Sequence, residues 1–138
     1  MVFQDTIKLA PQQKGATDIT EIVNGLVRDA EIRNGICQLF VHNNHSSLLI
    51  ADTADENTKN KTQEYLAMLA PSNDSTNRQI DASMNAIPSR MRTALMQTSI
   101  SFPIRNSRPA LGAWQGIYLW EQAGQPDERH LTITIVGE

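Results

Sequence analysis

The chain has 138 residues, with twelve basic and fifteen acidic side chains and a net charge of -3 at neutral pH. A chain of this length is expected to form a single domain, residues 1–138, with one hydrophobic core. The weakly acidic balance, with no run of basic residues, argues against a nucleic-acid backbone or an anionic membrane as a partner.

The compartment is indicated by cysteine usage and by the first residues. Cys37 is the single cysteine, so no internal disulfide can form. The sequence opens without a positively charged apolar signal, and its apolar runs are too short to span a bilayer. We therefore expect a cytoplasmic protein.

The first thirty residues predict a strand and a helix. Apolar and polar residues alternate over Val2–Leu9, which is typical of a half-buried strand. Asp18 and Glu21 have the spacing of a capping box, and helical periodicity then runs from about Ile19 to Glu31. The apolar face of this helix consists of Ile22, Leu26, Val27 and Ala30.

The rest of the chain predicts further strands separated by polar segments. Residues 36–41 and 47–50 are apolar and form either two strands or one long bent strand. Asp55 caps a helix that ends before Pro71, residues 72–83 form a loop, and Asn85 caps a short helix that begins at Ala86.

Three strands are predicted at the end of the chain, over 99–104, 115–122 and 129–136. In the middle strand, aliphatic and aromatic side chains alternate, which is typical of a strand between two layers. Gly112 and Gly116 mark a bend or a close approach of the backbone.

The run from Leu111 to Glu121 reads Leu-Gly-Ala-Trp-Gln-Gly-Ile-Tyr-Leu-Trp-Glu and precedes a polar hairpin and a last strand that ends in Gly-Glu. With Thr98–Arg105 upstream, this arrangement resembles the YjbQ family, and the likeness extends over the whole chain. The resemblance implies an α+β fold of antiparallel β-sheets stacked as a sandwich with a few helices. It also implies a homotrimer and an activity like that of a secondary thiamine-phosphate synthase.

The residues that match the family's site depart from its usual pattern. By the resemblance, Asn43 stands at a histidine, Asp52 at a glutamate, and Arg90 and Arg92 at a His-x-Lys pair. An amide transfers no proton at neutral pH, and an arginine serves neither as a base nor as a metal ligand. Since a positioned histidine contributes roughly 10²- to 10⁴-fold in rate, we expect weak or absent catalysis, with no metal site and no cofactor.

Two side chains remain as weak catalytic candidates, His45 and Asp52. His42 and His45 are three residues apart, so on a regular strand they point to opposite faces and cannot chelate one metal ion. A two-residue shift would bring His45 to the place of the missing histidine. The alternative is a solvated or hydrogen-bonded turn histidine.

Other residues are candidates for ligand binding. Asn43, Arg90 and Arg92 could hold a small anion, because guanidinium forks suit phosphate and carboxylate; the alternative is that both arginines are solvated or paired with acids. Trp114 and Gln115 could line a pocket, although Trp114 also suits a core or subunit interface. Cys37 is expected to be a small buried apolar residue.

Two functions of different class follow. The first is an enzyme resembling a secondary thiamine-phosphate synthase, in which Arg90 and Arg92 hold phosphate and Asp52 or His45 assists. The second is a non-catalytic binding or structural oligomer, a homotrimer with a small anionic ligand. The residue chemistry favours the second.

Overall fold

The computed structural model describes residues 1–10, 15–43, 45–52, 60–61, 64, 97–121 and 128–138. In these ranges the chain forms the following strands and helix: β1 (Val2–Leu9), β2 (Gly15–Asp18), α1 (Thr20–Asp29), β3 (Asn34–Val41), β4 (Ser46–Asp52), β5 (Ser99–Arg105), β6 (Arg108–Pro109), β7 (Gln115–Glu121) and β8 (Arg129–Gly137).

The strands form two antiparallel sheets that enclose the core. The larger sheet has the order β1-β8-β3-β5-β6, and the smaller sheet has the order β2-β7-β4. One apolar cluster joins the inner faces of both sheets, with Leu39 and Ile133 from the larger and Leu48 and Leu119 from the smaller. The predicted α+β fold of stacked antiparallel sheets is confirmed.

The strands with clear alternation fall where the sequence predicts them. β1 has the predicted bounds, and β5, β7 and β8 differ from the prediction by one residue at one end. Both faces of β7 are covered, since Leu119 is 0% and Trp120 4% exposed. Burial on both faces explains why this strand combines aliphatic and aromatic side chains.

The helix begins differently from the prediction. The residue before its first turn is Ile19, and no side chain caps it. Asp18 instead accepts hydrogen bonds from the backbone N–H and the hydroxyl of Thr20, at 2.9 and 2.6 Å. The predicted capping box between Asp18 and Glu21 is therefore wrong, because Asp18 lies one position too early to reach the third helical residue.

The buried stripe of α1 also differs by one position. Ile19, Val23, Val27 and Ala30 are buried at spacings of four, four and three. Ile22, which the sequence assigned to this face, is 44% exposed. The residue one turn before Val27 on the same face of the helix is Val23, so Val23 is buried and Ile22 is not.

β3 and β4 lie in different sheets, so the prediction of two strands holds and that of one bent strand does not. The chain leaves the larger sheet after Val41 and enters the smaller sheet at Ser46. Sequence patterns also missed β2 and β6, which have four and two residues and carry no apolar alternation.

The helix predicted between Asp55 and Pro71, the loop at 72–83 and the helix from Ala86 fall mainly outside the described residues, as do Arg90 and Arg92. Asn60, Lys61 and Glu64, which belong to the first of these helices, are helical. In the described part of the chain, no helix has the length and apolarity needed to cross a membrane.

Candidate functional site

A buried polar cluster lies between the two sheets at one end of the core. Glu121, the last residue of β7, and Arg129, the first of β8, are both 0% exposed. Arg129 donates from Nε to Glu121 Oε2 at 2.6 Å and from Nη2 to Oε1 at 2.7 Å. This two-pronged contact is the strongest geometry for a guanidinium and a carboxylate.

Ser46 completes the cluster from β4. It lies directly opposite Glu121 in the β4–β7 register, is 0% exposed, and donates its hydroxyl to Glu121 Oε2. One carboxylate oxygen therefore accepts from both Ser46 and Arg129. Both oxygens of Glu121 thus accept hydrogen bonds, and its carboxylate is the counter-charge of Arg129.

The alternation of the strands places both charges inside. Glu121 follows Ile117 and Leu119 at steps of two, and Arg129 precedes Leu131 by the same step, so both charged side chains lie on inner faces. Desolvating such ions costs several kcal/mol each, which a well-formed pair roughly offsets. An ion pair of this kind therefore adds little net free energy of unfolding relative to apolar residues of the same size.

Asn43 lies beside this cluster, just after β3. Its Oδ1 accepts the His45 backbone N–H at 2.6 Å and lies 3.3 Å from the Ser46 hydroxyl. The first contact forms a turn of the type that asparagine favours. Asn43 is partly buried, and its Nδ2 donates no hydrogen bond to another described residue. The oxygen of this amide is therefore engaged, whereas its two N–H donors are not engaged by another described residue.

His42 is separated from the cluster by the larger sheet. Its Nε2 is 2.7 Å from Thr132 Oγ1, and its ring meets Phe40 edge-on with centroids 4.8 Å apart. These contacts lie on the outer face of the sheet, whereas Glu121 and Arg129 lie against its inner face. His45, by contrast, is partly buried, and its backbone is held by Asn43.

Two other predicted site residues, Asp52 and Gln115, lie at the opposite end of the smaller sheet. Asp52 pairs with Gln115 at the far end of β4 and β7, six residues or about 20 Å from Ser46. Gln115 Oε1 accepts the backbone N–H of Gly112 at 2.7 Å, so this side chain closes the turn that Gly112 was predicted to mark. Within one chain, Asp52 and Gln115 are therefore far from Asn43, whereas His45 contacts Asn43.

Trp114 projects from this turn and is 65% exposed. The prediction that it belongs to the core is wrong, because the turn between Gly112 and Gln115 carries it off the end of β7. Its assignment to a subunit interface stays a prediction.

Sequence reasoning missed Ser46, Glu121 and Arg129 as a site. A signal was present, because Glu121 and Arg129 occupy positions that the period-two pattern assigns to buried apolar residues. A charged residue at such a position requires a partner of opposite sign.

Two further buried groups lie near the core. Burial raises the pKa of the Cys37 thiol from 9.0 to about 12, and the residue is 0% exposed, as predicted for a small apolar residue. The indole N–H of Trp120, on the other face of β7, is buried without a hydrogen-bond partner. No three His, Cys, Asp or Glu side chains in the described ranges converge as metal ligands would.

A family model described as "UPF0047 protein YjbQ-like" matches residues 5–138. The chain belongs to the YjbQ/UPF0047 family. The resemblance inferred from the Leu111–Glu121 run is thereby confirmed.

Relatives of this YjbQ/UPF0047 chain are found in bacteria and archaea. It is 30% identical to a UPF0047 protein of Synechocystis over 135 residues, which are 98% of this chain and 92% of that protein. It is 24% identical to YjbQ of Escherichia coli O157:H7 over 139 residues and the full length of both. A YbjQ-like protein of unknown function from Sulfolobus solfataricus P2 has a TM-score of 0.81 and 25% identity, covering 100% of this chain and 99% of its own.

The polar cluster of this YjbQ/UPF0047 chain has a mixed chemical composition. The described cluster contains an amide, a hydroxyl, a carboxylate and a guanidinium. Such a set presents hydrogen-bond donors and acceptors in a fixed geometry.

Proposed function

We propose that this YjbQ/UPF0047 chain binds a small anionic ligand and has little or no catalytic activity. The observation that carries the proposal is the environment of Asn43, which borders the buried Ser46–Glu121–Arg129 cluster. By the resemblance described above, Asn43 stands where the family carries a histidine. Its free N–H donors suit an oxyanion, while its oxygen is engaged in the turn with His45.

The rest of the cluster supports binding over catalysis. Ser46 is fully buried, so a substrate cannot reach its hydroxyl as it would reach a nucleophile. Both oxygens of Glu121 already accept hydrogen bonds, from Arg129 and from Ser46, so its carboxylate is held in a fixed position. Because the charges of Glu121 and Arg129 cancel, the attraction for an anion is assigned to Arg90 and Arg92, which the resemblance places at the same site.

The alternative is an enzyme of the thiamine-phosphate-synthase type, with Asp52 or His45 assisting. The separation of about 20 Å between Asp52 and the Ser46 end of β4 argues against Asp52 acting with Asn43 in one chain. His45 lies close enough to take part, so the experiment must detect any catalysis that His45 supports.

Turnover and binding separate these functions. Purified protein should be assayed for thiamine-phosphate formation and titrated with a thiazole phosphate by calorimetry. We expect saturable binding without turnover, and loss of binding in an Arg90→Ala, Arg92→Ala variant. Turnover that this variant abolishes would refute the non-catalytic assignment, whereas an absence of binding in the wild type would refute the ligand site.

A gain-of-function variant tests the reason given for weak catalysis. Asn43→His returns an imidazole to the site and should raise any thiamine-phosphate formation by up to roughly 10²-fold at neutral pH. Asn43→Gln is the matched control, since it keeps the amide and lengthens the side chain by one methylene. Equal rates in the two variants would show that the missing imidazole is not what limits catalysis.

We also propose that the chain assembles with copies of itself, as the homotrimer that the resemblance implies. The support is the outer face of the larger sheet. Its first row crosses four strands and is apolar: Val2, Val136, Ile36 and Pro103 are directly opposed. Three of these are well exposed, Val2 at 66%, Ile36 at 62% and Val136 at 54%.

The next two rows of this outer face are uncharged as well. They consist of Gln4, Thr134, Gln38 and Ser101, followed by Thr6, Thr132, Phe40 and Ser99. Twelve neighbouring positions without a charge are unusual for a surface in contact with water, and depletion of charge is typical of interface centres.

The single-domain organisation and cytoplasmic location stay predictions.

A further inference from the structure

A second candidate site lies between α1 and the turn that joins β5 to β6. It is a surface pocket of about 410 Å³ whose polar lining includes Asn24 and Arg28 from the helix and Asn106, Ser107 and Arg108 from the hairpin. It shares no residue with the cluster around Asn43, and Arg28 and Arg108 form no ion pair with any described residue.

The helix contributes one continuous face. Glu21, Asn24 and Arg28 are three and four residues apart, which aligns their side chains along α1. The Arg28 guanidinium lies back over Gly25, since a Cβ added to Gly25 would be 3.7 Å from Arg28 Nη2. This contact holds the guanidinium along the helix beside the pocket.

The hairpin contributes a constrained turn. Asn106 and Ser107 both have positive φ, 53° and 62°, as the two central residues of a tight hairpin do. Glycine is the usual second residue of such a turn, and a residue with a Cβ costs about 1–2 kcal/mol there. The Ser107 N–H is fixed by the Arg33 carbonyl at 3.0 Å. Ser107 thus places a hydroxyl at the pocket in a conformation that suits glycine better.

We propose that this pocket binds a small organic phosphate, with Arg28 and Arg108 holding the phosphate group. Two guanidiniums from separate elements can each donate two hydrogen bonds to phosphate oxygens, and Asn106 and Ser107 add neutral donors. Against these two positive charges stands one carboxylate, Glu21, whose Oε1 is 3.5 Å from Asn24 Nδ2. Because Glu21 repels phosphate but accepts hydrogen bonds, it selects a ligand that carries a hydroxyl near its phosphate.

The test is titration of the full chain with glycerol phosphate, methyl phosphate and inorganic phosphate, followed by calorimetry and by NMR of the Asn24 and Asn106 side-chain amides. Glycerol phosphate should bind most tightly and shift both amides. Arg28→Ala and Arg108→Ala should each weaken binding by roughly tenfold or more, the loss of a charge-assisted contact.

Arg105→Ala is the matched control. Arg105 lies opposite Arg108 in the β5–β6 register and lines an adjoining pocket of about 530 Å³, which shares Asn106, Arg108 and Pro109 with this one. Because Arg105 does not itself line the proposed pocket, the variant removes the same charge without removing a lining side chain. We expect the dissociation constant of the phosphate ester to change by less than about twofold in Arg105→Ala, because a neighbouring charge in solvent is screened. Equal weakening by Arg105→Ala and Arg28→Ala would show that general charge binds the ligand, and would overturn the proposal.

Two further variants guard against loss of folding as an explanation. Ser107→Gly suits the turn and should weaken phosphate binding without unfolding the chain. Glu21→Gln should tighten inorganic phosphate and reduce the preference for glycerol phosphate over methyl phosphate. Binding should persist in the Arg90→Ala, Arg92→Ala variant, which separates this pocket from the site near Asn43. No saturable binding, or no preference for the hydroxyl-bearing ester, would contradict the assignment.

Discussion

Replacing Glu121 with glutamine is the most direct test of the interior cluster. Glutamine keeps the size and shape of the side chain, so little cavity is created, but it removes the charge that compensates Arg129. Both partners are 0% exposed, so no water can replace the lost counter-charge. Removing one member of such a pair costs about 3–5 kcal/mol.

This loss is a large fraction of a typical free energy of unfolding, which is about 5–15 kcal/mol. The variant should still fold, but its midpoint of thermal unfolding should fall by roughly 10–15 °C for a chain of this length. Thermal unfolding measures this midpoint, and urea unfolding measures the free energy of unfolding. Both are followed by far-UV circular dichroism and by tryptophan fluorescence, which reports on the buried Trp120.

Glu21→Gln makes the same chemical change on the exposed face of α1 and should alter the free energy of unfolding by no more than about 0.5 kcal/mol. A double variant, Glu121→Leu with Arg129→Met, should recover more than half of the single variant's loss, because it removes both charges together. A loss below about 1 kcal/mol for Glu121→Gln would refute this reasoning, as would a double variant less stable than the single one.

Other predictions concern the helix, the sheet face and the thiol. Gly25→Ala should stabilise the chain by about 0.5–1 kcal/mol in urea unfolding, since its Cβ would lie at an ordinary 3.7 Å from Arg28 Nη2; destabilisation would contradict this. Ile36→Glu should lower the mass in sedimentation equilibrium and Ile22→Glu should not; an unchanged mass would exclude this face as the interface. Because the pKa of the Cys37 thiol rises from 9.0 to about 12 on folding, the free energy of unfolding should decrease as the pH is raised between these two values. Cys37→Ala should remove this pH dependence.

The strands of this fold are predictable from sequence where burial of one face imposes a period of two. β1 and β8 are long enough for that pattern to be unambiguous, and their predicted bounds are accurate to one residue. β2 was missed because its four residues, Gly-Ala-Thr-Asp, form a strand only by pairing with β7. Long-range pairing of this kind leaves no local signal.

The site is less predictable for a related reason. Periodicity places Glu121 on the inner face of β7 and Arg129 on the inner face of β8, but it does not indicate that the two strands meet across the core. The same limit applies to Asp52, which the family resemblance grouped with Asn43. The register with Gln115 places it at the other end of β4.

The geometry of Asn43 connects the fold to the proposed loss of catalysis. Oδ1 of Asn43 accepts the His45 N–H at 2.6 Å, which forms the turn between these two residues. Asparagine at this position therefore stabilises the crossing between the two sheets while leaving only N–H donors for a ligand. In the proposed function, these donors would hold an acceptor such as an oxyanion, and an amide cannot supply a proton at neutral pH.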